Sequence, residues 1–341
     1  MNKTFIGIDF SKKTFDATIL FRGNLNDKGI HEQFDNNKTG FNRFERWIKN
    51  NVGRDAQEST LLCGENTGLY SRLVSETLYK RGYTMWLESA LQIKRSLGLN
   101  RGKNDIKDSR DIAEYAARHE DKCLPYEPLS PELEDLRVLF ADRKHLVKEL
   151  SAMRVRYKET ESESSPSLSK VRKKMSERIY SVIDKQIKDI NAKMQKIVES
   201  SEELKRNYEI LISMKGIGPV NAIALLIVTR NFTRFDYDAR RICSYYGVAP
   251  FEHTSGTSLN GKPHVSPYAD KYFKSLLSEA VMIAMTFNPE IRAYAERLLE
   301  KGKHPNIVRN NCKNKMIHIL VAMVKNGTKY GENIKEKEII N

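Results

Sequence analysis

Two short apolar runs each end on a carboxylate: Phe5-Ile6-Gly7-Ile8-Asp9 and Leu61-Leu62-Cys63-Gly64-Glu65. Runs of this length without a polar alternation read as strands buried in a sheet, so Asp9 and Glu65 are expected at one sheet edge. Asp105 and Asp108 stand three residues apart and share a helix face. Each acid alone has an ordinary role. Asp9 can cap the turn after its strand, Glu65 can be a solvated strand end, and Asp105 and Asp108 can complement a helix dipole. Converged at about 4 Å, however, each pair of carboxylates would repel by about 4 kcal/mol at an effective dielectric of about 20. Such a cluster needs a divalent cation or shifted pKa values. Hard oxygen ligands favour Mg²⁺ or Mn²⁺, and paired metals of this kind serve in-line displacement at phosphorus. Cleavage or transfer of nucleic-acid strands is the implied chemistry.

The order of elements supports that chemistry. Residues 5–10, about 14–22 and about 29–35 are predicted strands, the second alternating through Phe15, Ala17, Ile19 and Phe21. A helix from Thr39 carries Phe41, Phe44, Trp47 and Ile48 on one face. Strand 60–64, helix 68–81, strand 83–87 and helices near 89–97 and 106–118 follow. A three-stranded meander succeeded by alternating helix and strand is a ribonuclease-H-like (RuvC-like) α/β order. It is expected to occupy residues 1–125, ending near Pro125, Pro128 and Pro131.

The pattern then changes. Leu133, Leu136, Phe140, Val147 and Leu150 keep a three-four spacing, with Arg143 in one core slot. Met175, Ile179, Ile183, Ile187, Ile190, Met194 and Ile197 keep it again. The polar segment 160–167 separates the two runs, which predicts an antiparallel coiled-coil arm over 126–208, used for self-association or packed on itself. Residues 209–341 read as a mostly helical C-terminal domain. Its Gly216-Ile217-Gly218-Pro219 turn precedes an apolar helix and offers backbone N–H groups to a phosphate, although it is equally an ordinary tight turn. Near Ser255-Gly256 the glycine lets the backbone approach a ligand closely. A free serine is a poor nucleophile without a base or metal, so spacing alone makes Ser255 a turn residue.

The chain of 341 residues is long enough for two or three domains, and it carries a formal charge of +14. That balance is too basic for an ordinary metabolic enzyme and points to a polyanion, nucleic acid first. No stretch approaches the roughly 20 apolar residues of a membrane span. The N-terminus runs straight into the first strand, leaving no signal-peptide core. Cys63, Cys123, Cys243 and Cys312 lack metal-ligand spacing and read as reduced thiols of a cytoplasmic protein.

Several segments together resemble one family nearly end to end. They are Gly7-Ile8-Asp9-Phe10-Ser11-Lys12, Glu65-Asn66-Thr67-Gly68-Leu69-Tyr70 and Lys103-Asn104-Asp105-Ile106-Lys107-Asp108-Ser109 with Ile112-Ala113. Gly216-Ile217-Gly218-Pro219 with Ala222, Gly247-Val248-Ala249-Pro250 and Ser255-Gly256 complete the series. The chain thus resembles the DEDD transposases of the IS-one-ten group of insertion sequences, the bridge-RNA-guided recombinases. The resemblance implies that Asp9, Glu65, Asp105 and Asp108 are metal ligands and that Ser255 is a catalytic serine forming a covalent phosphoserine. It implies donor and target DNA as substrates, a noncoding bridge RNA as guide, and a homo-oligomeric, dimeric or tetrameric enzyme working on the bacterial nucleoid. Nucleic-acid contacts are expected from Lys12, Lys103, Lys215, Gly216, Gly218, Lys262, Lys271 and Lys274. Asp111, a further three residues along the helix, is left as an accessory acid. The sequence departs from the family pattern at Ser109, where alanine is usual, across Val265 to Asp270, and at Lys274, often arginine. The rival readings are a junction-resolving RuvC-like endonuclease that uses water, and a nucleic-acid-binding scaffold with a degenerate cluster.

Overall fold

A computed structural model describes residues 3–25, 27–96, 105–160, 165–255, 259–265 and 269–331, and within these the side chains of 251–264 are left aside. The chain divides into two compact units, Met1–Pro128 and Leu129–Asn341. The α/β region expected over 1–125 lies in the first. The expected arm and the helical C-terminal region fall together in the second.

The first unit is built on a five-stranded sheet of order β3-β2-β1-β4-β5. Its strands are β1 (Thr4–Phe10), β2 (Thr14–Phe21), β3 (Ile30–Asp35), β4 (Thr60–Glu65) and β5 (Thr84–Glu88). The β1-β2-β3 meander is antiparallel, whereas β4 pairs parallel to β1 and β5 parallel to β4. This is the ribonuclease-H-like arrangement expected from the sequence. Side chains alternate across the sheet. Ile6, Ile8 and Phe10 of β1 pack with Phe15, Phe34, Phe41, Phe44 and Trp47 against α1 (Lys38–Val52), beyond which lie the short α2 (Ala56–Ser59) and α3 (Leu69–Lys80). Phe5, Leu61, Cys63 and Trp86 cover the opposite face. They pack with Ile93 of α4 (Ala90–Ser96) and with Ile112, Tyr115 and Ala116 of α5 (Asp105–Arg118).

The second unit opens on α6 (Pro131–Glu159), whose first turn is capped by Ser130 Oγ accepting from Leu133 N at 3.2 Å. It runs antiparallel to α7 (Pro166–Ser200). Arg143 Nε donates to Asn191 Oδ1 at 2.8 Å, Arg154 Nη2 pairs with Asp184 at 3.1 Å, and Arg172 Nη1 donates to Thr160 O at 2.9 Å. Arg143 in an apolar slot is therefore a cross-helix hydrogen-bond donor. The apolar seam of α7 divides. Met194 and Val198 are buried with Leu133, Leu136 and Phe140 in the core, but Met175 is 60% and Ile179 49% exposed, beside exposed Leu168, Val171 and Val182.

The remaining helices are α8 (Glu202–Ser213), α9 (Pro219–Thr229), α10 (Ala239–Tyr245), α11 (Lys271–Phe287), α12 (Pro289–Glu300) and α13 (Pro305–Asn326). A hairpin of β6 (Pro250–Ser255) and β7 (Leu259–Val265) interrupts them. Gly216 has φ 110°, and a Cβ there would meet Ala280 O of α11 at 2.8 Å. The turn is thus glycine because α11 presses on it. Asp270, within the segment that departs from the family pattern, caps α11 through Tyr272 N at 2.9 Å and Phe273 N at 3.2 Å. Among the described residues no helix is long and apolar enough to cross a membrane.

Candidate active site

Because β1 and β4 are parallel, with Ile8 in register with Gly64, their carboxyl ends deliver Asp9 and Glu65 to the same edge. Alternation sets both on the face covered by α5. What brings the helix near is Gly7. A Cβ at that position would lie 2.0 Å from Ser109 O and 2.3 Å from Ala113 N, so only glycine lets α5 rest on β1. Gly7 is paired with Thr18 of β2, whose hydroxyl makes a buried 2.7 Å hydrogen bond with Ser109 Oγ. The serine that replaces the usual alanine therefore ties α5 to β2.

So seated, the first turn of α5 brings Asp105 and Asp108 to Asp9. One carboxylate oxygen from each of the three lies within 4.8 Å of the others. Glu65 and Asp111 stand outside this group. Glu65 still acts on it, since Asp9 is pushed up to about 6 by burial first and then by the negative charges of Asp108, Glu65, Asp105 and Asp16. A half-buried carboxylate whose charge is disfavoured by burial and by like neighbours, with hard oxygen donors converging, fits a divalent cation. Asp105 also leads the helix, where the N-terminal dipole favours an anion.

Two further acids at this edge escaped the sequence reading. Asp16 is in register with Asp9 across the β1-β2 hairpin and is buried. His31 Nε2 approaches Asp16 Oδ1 at 3.0 Å, and Gln33 Nε2 donates to Asp16 Oδ2 at 3.0 Å. A carboxylate only accepts, so the His31 proton sits on Nε2 and both oxygens of Asp16 are held by donors. Glu88 is the register partner of Glu65, and its Oε2 accepts from Tyr115 OH at 3.2 Å. The hairpin register makes Asp16 findable: counting back through the Ser11–Lys13 turn pairs it with Asp9.

The other expected site residues are dispersed. Lys12 is exposed in the turn after β1, and Lys215 and Lys271 are exposed in the second unit. Lys274 Nζ donates to Gly247 O at 2.7 Å. Ser255, expected in a loop, closes β6 and pairs through its backbone with Leu259, while its side chain and that of Lys262 lie outside the described residues. Lys103 lies outside them altogether.

Comparison with known proteins places these elements. Residues 6–160 match a family model of DEDD, IS110-type proteins described as transposase, and residues 208–296 match the transposase IS116/IS110/IS902 family. Pilin gene-inverting proteins of Moraxella lacunata and Moraxella bovis are 26% and 25% identical, each alignment covering 98% of this chain and all of the relative. A 43.6 kDa protein of insertion element IS110 from Streptomyces coelicolor is 31% identical over 36% of this chain and 29% of its own length.

Proposed function

Since the chain belongs to the IS110 family of DEDD transposases and is an enzyme acting on DNA, we propose that it recombines DNA through the Asp9, Asp105 and Asp108 carboxylates and a serine nucleophile, Ser255. The observation that carries this reading is the convergence of Asp9 with Asp105 and Asp108 of α5, whose seating on β1 only glycine at position 7 permits. A bound Mg²⁺ or Mn²⁺ would be held there, with Glu65 at the adjoining strand end, and would supply charge stabilisation to a phosphate undergoing displacement. Asp16, fixed by His31 and Gln33, adds negative charge behind Asp9 and sharpens the need for a cation. Ser255 would attack phosphorus and displace one ester oxygen. The resulting phosphoserine retains the diester's free energy for rejoining to a new strand.

This reading is tested by Ser255→Ala. Loss of one hydroxyl hydrogen bond costs a fold only about 0.5 to 1.5 kcal/mol. The variant is therefore expected to fold and bind nucleic acid as wild type does, while recombination and any covalent protein-DNA species disappear. Recombination that survives, or wild-type reactions that never yield an adduct on denaturing gels, would hand the role to water and make the enzyme a junction nuclease.

We also propose a guiding RNA and a self-associated enzyme. The charge of +14 supports the first, because a protein that leaves sequence reading to base pairing needs mainly backbone contacts. The second is supported by the N-terminal half of α7, where Met175, Ile179 and Val182 are exposed at helical spacing. Met175→Glu with Ile179→Glu is expected to lower the mass measured by light scattering, and an unchanged mass would show that the arm serves no subunit contact.

A further inference from the structure

Lys274 of α11 and Arg309 and Lys313 of α13 gather at the turn that leads into β6. The turn is gripped from both helices: Lys274 Nζ donates to Gly247 O at 2.7 Å, and Asn310 Nδ2 donates to Val248 O at 2.9 Å. Arg309 and Lys313 are one helical turn apart, an arrangement that destabilises a helix by about 0.2 to 0.5 kcal/mol when the charges are alike. Among the described residues none of the three cations has a carboxylate partner. Arg309 spends one N–H on Asn306 Oδ1 at 3.1 Å, and Lys274 spends one on Gly247 O. The contrast on the same helix is Lys315, which pairs with Glu290 at 2.9 Å. Burial, then Lys274 and Arg309, also hold the ammonium of half-buried Lys313 below its ordinary range. Three cations kept together, Lys274 and Lys313 partly buried and Arg309 exposed, with no carboxylate partner among the described residues, are poised for an anion.

We infer that Lys274, Arg309 and Lys313 form a phosphodiester-binding site that holds the DNA strand entering the β6 hairpin. Against the described residues Lys274 retains two N–H donors and Arg309 four, enough to engage successive phosphate oxygens without reading bases. DNA is the favoured polymer because the gripped turn runs directly into the strand that ends at Ser255, five residues and about 17 Å along β6. In that respect the inference rests on the serine reading. It differs from it in depending on α11 and α13 and in concerning binding.

The test is fluorescence anisotropy of the full-length protein with a labelled 30-base-pair DNA duplex and, separately, a labelled hairpin RNA, each titrated across salt. The variant is Arg309→Gln with Lys313→Met, the methionine preserving the buried stem of the lysine. Losing two phosphate contacts is expected to flatten the log-log salt slope on DNA by about 1.8 and to leave the slope on RNA unchanged. Lys315→Gln is the control and is expected to match wild type. An unchanged DNA slope with an unchanged melting temperature would overturn the site, and a flattened RNA slope alone would overturn its assignment to DNA. Ser255→Ala in the same assay separates the two proposals. If it keeps the wild-type slope but recombines DNA, the nucleophile reading fails while the phosphate site stands.

Discussion

Replacing Asp108 by asparagine is expected to reduce strand cleavage by about a thousandfold or more while leaving nucleic-acid binding within a few fold of wild type. Asp108 is the neighbour whose charge acts most strongly on Asp9, and it shares with Asp9 and Asp105 the 4.8 Å cluster at the head of α5. Amide replaces carboxylate with almost no change of volume, so the fold has no reason to yield. What is lost is one negative oxygen ligand and with it several kcal/mol of charge stabilisation at the phosphate, which corresponds to about three powers of ten in rate. Asp105→Asn is expected to behave alike, whereas Asp111→Asn, outside the cluster, is expected to keep most activity. Cleavage assays on a nicked or junction-containing substrate read the outcome directly. Activity within tenfold of wild type for Asp108→Asn would remove the cluster from the chemistry.

Gly7→Ala is expected to destabilise the first unit by about 3 kcal/mol or more, a larger effect than any polar substitution at the site. The added Cβ would stand 2.0 Å from Ser109 O and 2.3 Å from Ala113 N, and both are backbone atoms that no rotamer change can move. Overpacking a core commonly costs about 1 to 3 kcal/mol, and here the whole of α5 must lift from the sheet. The lift would also carry Asp105 and Asp108 away from Asp9, so cleavage falls together with stability. The two tryptophans, Trp47 and Trp86, both lie in the first unit, so the fluorescence of the full chain in a urea titration reports that unit's unfolding. Ser109→Ala is the comparison: it removes the Thr18 hydrogen bond and the local one to Ile106 O, and is expected to cost about 1 kcal/mol. A Gly7→Ala midpoint equal to that of wild type would mean that α5 does not depend on close approach.

The sheet was legible because its strands advertise themselves. Apolar runs 5–8 and 61–64 lack polar positions, since both strands lie between sheet neighbours and are covered by helices, and the alternation from Phe15 to Phe21 marks the meander. The expected three strands followed by alternating helix and strand match the observed order. The hairpin of β6 and β7 was not legible. His253-Thr254-Ser255 and Leu259-Asn260-Gly261-Lys262 carry neither alternation nor β-branched runs, and polar, glycine-containing segments read as loop. In the site, the helical spacing of Asp105 and Asp108 is visible in the sequence, but the close group omits Glu65, whose strand end and family resemblance both point to it. Thr18 and Ser109 are 91 residues apart, and their bond follows only from the seating of α5. The cations at the Gly247 turn come from two helices, with Lys274 lying 35 residues before Arg309, so Lys274 could be suspected singly and Arg309 and Lys313 not at all.

That the aspartates hold a divalent cation is tested most directly by thermal unfolding of the full chain, followed by tryptophan fluorescence, for wild type and Asp9→Asn at pH 5 and pH 8. In the fold Asp9 is raised from 3.8 to about 6, so the folded state binds more protons than the unfolded chain between those values. Its contribution therefore falls as pH rises from about 4 through 6, and above 6 the charged cluster opposes folding in full. In chelator at pH 8, Asp9→Asn is expected to melt above wild type, and the gap is expected to narrow at pH 5. Mn²⁺ at about 100 times its dissociation constant should stabilise wild type by about 2.7 kcal/mol, a rise of several degrees, and should leave Asp9→Asn nearly unmoved. A wild-type melting temperature that ignores Mn²⁺ at pH 8, or one that rises equally in the variant, would contradict the site.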